Sequence, residues 1–216
     1  MTHSTHADPA TPPVKWSSII VSAYLPTLMS SLGYGAVIPL IPLTAVHIGA
    51  SAALAAAIAA LVGIGQIIGD VPAGWLVTKI GEKWSLVIAM LIDAVALVSM
   101  GLVHHLGLLA VAVFVNGMAG AVYGIARQNY LTVAIPYRYR ARALSTLGGV
   151  FRVGWFVGPM AGSWILREAS MSWAYGFASV ASVLAAAVTP SCPTFPQSMS
   201  HKLPLTMPPP RSRRGR

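Results

Sequence analysis

Gly74 to Lys83 read GWLVTKIGEK, a glycine-bounded, lysine-bearing break between two long apolar runs. Lys79, Glu82 and Lys83 crowd into this break although only 9% of the chain is charged. A soluble domain carries about 25% charged residues to cover its surface. With 56% hydrophobic residues and a mean hydropathy of +0.70, the solvent for most of these 216 residues is lipid. A charged cluster between two apolar runs then reads as a turn at a membrane surface.

Working outward from that turn, a span needs about 20 predominantly apolar residues. The hydropathy pattern predicts six, at roughly 17–45, 51–74, 84–103, 107–133, 143–166 and 173–189. The expected fold is all-α: a polytopic membrane domain of six transmembrane helices over residues 16–189. The first run carries Pro26, Pro39 and Pro42 and is expected to kink, since proline removes a backbone donor. Short connections predict antiparallel neighbours, arranged as three helical hairpins.

Counting Lys and Arg in alternate connections gives the orientation. Lys15, then Lys79 and Lys83, then Arg138, Arg140 and Arg142, then the basic tail fall on one side. The other side holds little beyond His104 and His105 and the Arg167–Glu168 pair. This asymmetry predicts a multi-pass protein of the cell membrane with both termini cytoplasmic. Residues 1–15 are polar and proline-containing, without the basic start and short apolar core of a cleavable signal, and read as a disordered lead. Residues 190–216 lose all helical periodicity, are rich in proline and end in arginines. They read as a disordered tail with the look of an unselected reading frame.

The net charge of +9 overstates the basic character of the domain, because Lys202, Arg211, Arg213, Arg214 and Arg216 all lie in that tail. No nucleic-acid partner is expected. Cys192 is the only cysteine, so no intrachain disulfide forms. His104 and His105 lack further ligands at metal-binding spacing, and no catalytic or phosphate-binding constellation stands out. The chain reads as a non-enzyme without metal or cofactor.

Ionisable side chains inside spans are costly and need a reason. Four stand out: Asp70, Asp93, Arg127 and Arg152. Asp70 and Asp93 lie at similar offsets on either side of the GEK turn, and Arg127 and Arg152 flank YRYRAR in the same way. All four are expected at comparable depth. They form either a structural ion-pair layer across the bundle or a gate whose pairing changes between states. Asp93, nearer mid-span, is the better candidate for taking up a proton. Gln66 and Asn116 are expected either to bond helix to helix or to line a pore. In the fifth span Gly154, Gly158 and Gly162 recur every four residues, with Pro159 beside them. Such a stripe of small residues permits close helix approach.

These features together resemble the major facilitator superfamily of secondary transporters. Gly74, Lys79, Gly81 and Lys83 match that family's G-x-x-x-D-[RK]-x-G-[RK]-[RK] loop, with Thr78 in place of its Asp and Glu82 in place of a basic residue. Gly154, Gly158, Pro159 and Gly162 match the G-x-x-x-G-P-x-x-G signature of its antiporter branches. Arg127-Gln128 is similar to the family's arginine–glutamine motif at a different spacing. The resemblance covers about residues 16–189 and implies the N-terminal six-helix half of the fold. It implies alternating-access movement of a small solute, by proton-coupled efflux in the antiporter branch, with a conformational-gating loop at Gly74–Lys83. The family's cavity lies between two such halves. The expected alternatives are therefore a truncated chain, pairing with itself or with a second half, or a remnant that no longer transports.

Overall fold

The computed structural model describes residues 23–135 and 137–189, and every regular element in them is a helix. In order they are α1 (Leu25–Val37), α2 (Leu40–His47), α3 (Ala52–Ile80), α4 (Glu82–Leu102), α5 (Leu106–Ala134), α6 (Tyr137–Glu168) and α7 (Met171–Val188). The lead 1–15 and the tail 190–216 lie outside the described residues.

α1 and α2 together make one crossing of 23 residues, Leu25–His47. The break expected in this run falls at Ile38–Pro39, with Pro39 at the N-cap of α2. Pro26 sits in the first turn of α1, where the missing N–H costs nothing. Four further helices, α3, α4, α5 and α7, are long and apolar enough to cross a bilayer. α6, whose hydropathy is diluted by five glycines and Arg152, completes the six.

The ends are set locally. Ser51, in extended conformation, accepts the Leu54 N–H at 3.3 Å and caps α3. α3 then runs straight through Gly74 to Ile80, so most of GWLVTKIGEK is helix, not turn. The reversal is the single residue Gly81, at φ 85° and ψ 163°. That region is essentially reserved for glycine. The expected YRYRAR loop is likewise the first turns of α6, since arginine and alanine are good helix formers.

Of the three expected hairpins only α4–α5 forms as a close pair; the other two give way to a different packing. α3 lies mainly on α5, α1 on α6, and α4 on both α5 and α7, while α7 also covers α1. Only α4 and α5 are both consecutive and closely packed. Short turns fix direction, but side-chain size fixes neighbours. The close pairs are those in which glycine lets backbones meet. Exchanging the first crossing with α5, α3 with α6 and α4 with α7 maps this contact pattern onto itself. Such a pattern is that of a three-plus-three inverted repeat.

Two apolar cores result. One gathers Ile41, Ile58, Leu97, Met100, Leu109 and Tyr175 at the α2 end. The other gathers Val77, Leu86, Met90, Tyr123, Leu131 and Leu147 at the Gly81 end.

Candidate functional site

Each helix places its polar residue between those two cores. On α4, Asp93 lies between Met90 and Leu97; on α5, Asn116 lies between Val113 and Tyr123. On α7, Ser182 lies between Ala178 and Ala185. The sequence thus builds a polar layer at mid-depth, sandwiched by hydrocarbon.

Asp93 is its anchor. Asn116 Nδ2 donates to Oδ1 and Ser182 Oγ donates to Oδ2, each at 2.6 Å. Both donors are buried. The carboxylate is therefore held by neutral groups from two other helices. Across the layer, Gln66 Nε2 on α3 donates to the Tyr34 hydroxyl on α1 at 2.9 Å. Asn116 and Gln66 thus both bond helix to helix.

A cavity of about 200 Å³ opens among these residues. Ser30, Tyr34, Gln66, Asp93, Arg127 and Phe151 line it, so five of the crossings contribute wall. Gln66 faces the cavity, whereas Asn116 stands behind Asp93. Arg127 stacks its guanidinium 4.8 Å from the Phe151 ring centre and 5.3 Å from that of Tyr123. Its Nε and Nη1 are buried without a hydrogen-bond partner among the described residues. The aromatic faces supply the stabilisation that a carboxylate would otherwise give.

Of the four intramembrane charges, the structure brings Asp93 and Arg127 to one cavity. Asp70 and Arg152 are exposed on the outer flanks, without a hydrogen-bond or ion-pair partner among the described residues. Asp93 is level with Asn116 while Arg127 sits further along Asn116's helix, and Asp70 and Arg152 point outward, so the four form no mutually neutralising layer in this conformation.

In the Gly74–Lys83 segment, Lys79 Nζ lies 4.9 Å from the Trp75 ring centre and Thr78 Oγ1 donates to the Trp75 carbonyl at 2.8 Å. Lys83 lies in the first turn of α4 and is half-buried. Gly74 has open space around its α-carbon.

The fifth-span stripe is the α1–α6 seam. A β-carbon at Gly158 would meet the Leu32 carbonyl at 2.5 Å, and one at Gly162 the Ala36 carbonyl at 2.9 Å; one at Gly154 would strike Ser31. Pro159 cannot donate to the Trp155 carbonyl. That carbonyl faces Gly35, where a β-carbon would lie 2.7 Å away. A second seam, between α3 and α5, uses Gly65 against Phe114, Gly69 against Met118 and Gly117 against Val62. Sequence reasoning missed this seam, although the four-residue step from Gly65 to Gly69 carried the same signal. It also missed Tyr34, Tyr123 and Ser182, since single hydroxyls in apolar runs do not announce a partner.

Comparison with known proteins agrees with this architecture. The sequence profile of the Major Facilitator Superfamily matches residues 23–202. Two MFS-type transporters from two strains of Mycobacterium tuberculosis are each 25% identical over 167 residues, covering 77% of this chain and 24% of the relative. A tetracycline resistance protein, class H, of Pasteurella multocida is 28% identical, covering 74% of this chain and 40% of the relative. The chain thus spans about a quarter to two-fifths of the length of the relatives it matches. With that match over its helices and a mid-depth polar cavity framed by two glycine seams, the chain belongs to the major facilitator superfamily of multi-pass membrane transporters.

Proposed function

We propose that the chain supplies one six-helix unit of a secondary active transporter that moves a small solute in exchange for protons. We place it in the cell membrane with both termini cytoplasmic. The observation that carries this reading is the cavity of about 200 Å³ held between two apolar cores. Polar and ionisable groups are costly at this depth and mark solute or ion pathways by default. A secondary transporter binds its solute near the bilayer midplane.

Asp93 is the proposed proton site. Ionised, both its oxygens accept, one from Asn116 and one from Ser182. A proton on Oδ2 only reverses the Ser182 hydrogen bond, because a hydroxyl also accepts, whereas a proton on Oδ1 would face the donor-only Nδ2 of Asn116 and break that bond. Protonation at Oδ1 would therefore loosen α4 from α5. The glycine seams give the neighbouring helices smooth faces along which such a change can travel, and Gly81 is the proposed hinge of a gating segment that includes Gly74, Lys79 and Lys83. Export of a drug-like compound is the direction we adopt, on the strength of the relative named for tetracycline resistance.

Proteoliposome flux tests the reading. An imposed pH gradient is expected to drive tetracycline or ethidium movement through the wild-type protein, and Asp93→Asn to remove the gradient dependence. Equal flux with and without the gradient, or an unaffected Asp93→Asn variant, would overturn the proton-coupled mechanism. A second reading is favoured by the bare charged flanks of α3 and α6: a membrane component that moves solute only when joined to a second bundle. It predicts stable insertion without flux from the isolated chain.

A further inference from the structure

The contacts among the helices form an open arc. Starting from α3 the order is α3, α5, α4, α7, α1, α6, each packed on the next. α3 and α6 are therefore the two ends of the arc, held otherwise only by lighter contacts such as those of α2 on α3. α3 buries little more than its stripe against α5, and α6 buries little more than its stripe against α1. Each free end exposes one charge among apolar side chains: Asp70 beside Ile67, 73% exposed, and Arg152 near Phe156, 74% exposed.

The two charges lie at one depth. The Gln66–Tyr34 hydrogen bond sets α3 against α1, so Asp70, four residues further along α3, falls about 6 Å lower, beside Ser30. Gly154 packs on Ser31, so Arg152 also lies beside that level of α1. An acid and a base exposed within membrane-spanning helices are costly, and pairing with an opposite charge at the same depth offsets that cost.

Resting on the reading that this bundle works with a second one, we infer that the partner is a second copy of this chain, joined through Asp70–Arg152 pairs. A two-fold axis along the membrane normal turns one arc to face the other. It sets α3 of one protomer against α6 of its partner and preserves depth, so Asp70 of each copy meets Arg152 of the other. The interface is isologous and forms the pair twice. A two-fold dimer satisfies both charges with the residues this chain already carries.

The test measures association, not flux, so its failure is separable from failure of the transport reading. In a Cys192→Ser background, differently tagged copies carrying Ile67→Cys or Phe156→Cys are co-expressed and oxidised in their native membrane. These sites flank the charges without removing them. The expected product is a mixed Ile67Cys–Phe156Cys dimer, with neither variant cross-linking to itself. Asp70→Arg alone and Arg152→Asp alone are each expected to cut that product at least about tenfold, the factor for one lost pair worth 1.4 kcal/mol. The combined reversal in one chain restores it, which shows that the variants fold. Self-cross-linking of either single variant, no recovery in the double reversal, or a monomer in lipid nanodiscs would overturn the proposal. Cross-linking only to a different polypeptide would do the same.

Discussion

Each carboxylate oxygen of Asp93 accepts one hydrogen bond from the bundle, Oδ1 from Asn116 and Oδ2 from Ser182. Removing Asn116 by substitution to Ala is therefore expected to leave Oδ1 unpaired and to lower stability by about 1–2 kcal/mol. Thermal unfolding in detergent measures this; an unchanged midpoint would mean that the bond carries no weight. The two glycines that bound the GWLVTKIGEK segment make opposite predictions. Gly81 occupies a backbone region that an L side chain strains to enter, so Gly81→Ala is expected to cost about 1–3 kcal/mol. Gly74 is helical and an added β-carbon there meets nothing, so Gly74→Ala is expected to be neutral or to stabilise by about 0.5–1 kcal/mol. A matched pair of melting curves separates the two. At this scale the sequence showed that ionisable residues stood inside spans. It did not show their partners, because hydroxyl donors such as Ser182 look like ordinary packing residues in an apolar run.

Among the elements, the seams decide which helices are neighbours. Gly158→Ala places a β-carbon 2.5 Å from the Leu32 carbonyl and 2.8 Å from the Ala36 nitrogen, both backbone atoms that cannot swing aside. It is expected to cost about 1–3 kcal/mol by overpacking. Gly148→Ala on the same helix, with open space, is the control and is expected to change little. The four-residue step of Gly154, Gly158 and Gly162 made one smooth face legible in advance. The facing helix was not legible, because connection lengths suggested sequential hairpins and the partner surface at Gly35 belongs to the first crossing. The charge layer failed for a related reason. Counting residues from turns gives depth at 1.5 Å per residue, but azimuth depends on which face a seam buries. Asp70 and Arg152 lie at the right level and point away from the interior.

For the molecule as a whole, composition alone was enough to assign a lipid-dissolved helical bundle, since 9% charge leaves no other solvent. What it could not locate is the separation into two apolar cores with a polar layer between them, because that separation emerges only when mid-span residues of five helices converge. The central claim is that this layer is a solute pathway reached from water and not a sealed structural network. Cysteine accessibility tests it most directly. In a Cys192→Ser background, Gly124→Cys lines the cavity at a position with room for a side chain, and Val95→Cys sits on the outer, apolar face of α4. The account predicts that a membrane-impermeant, water-soluble thiol reagent labels Gly124→Cys in intact membranes and leaves Val95→Cys unlabelled. A Gly124→Cys variant as inert as Val95→Cys would contradict it.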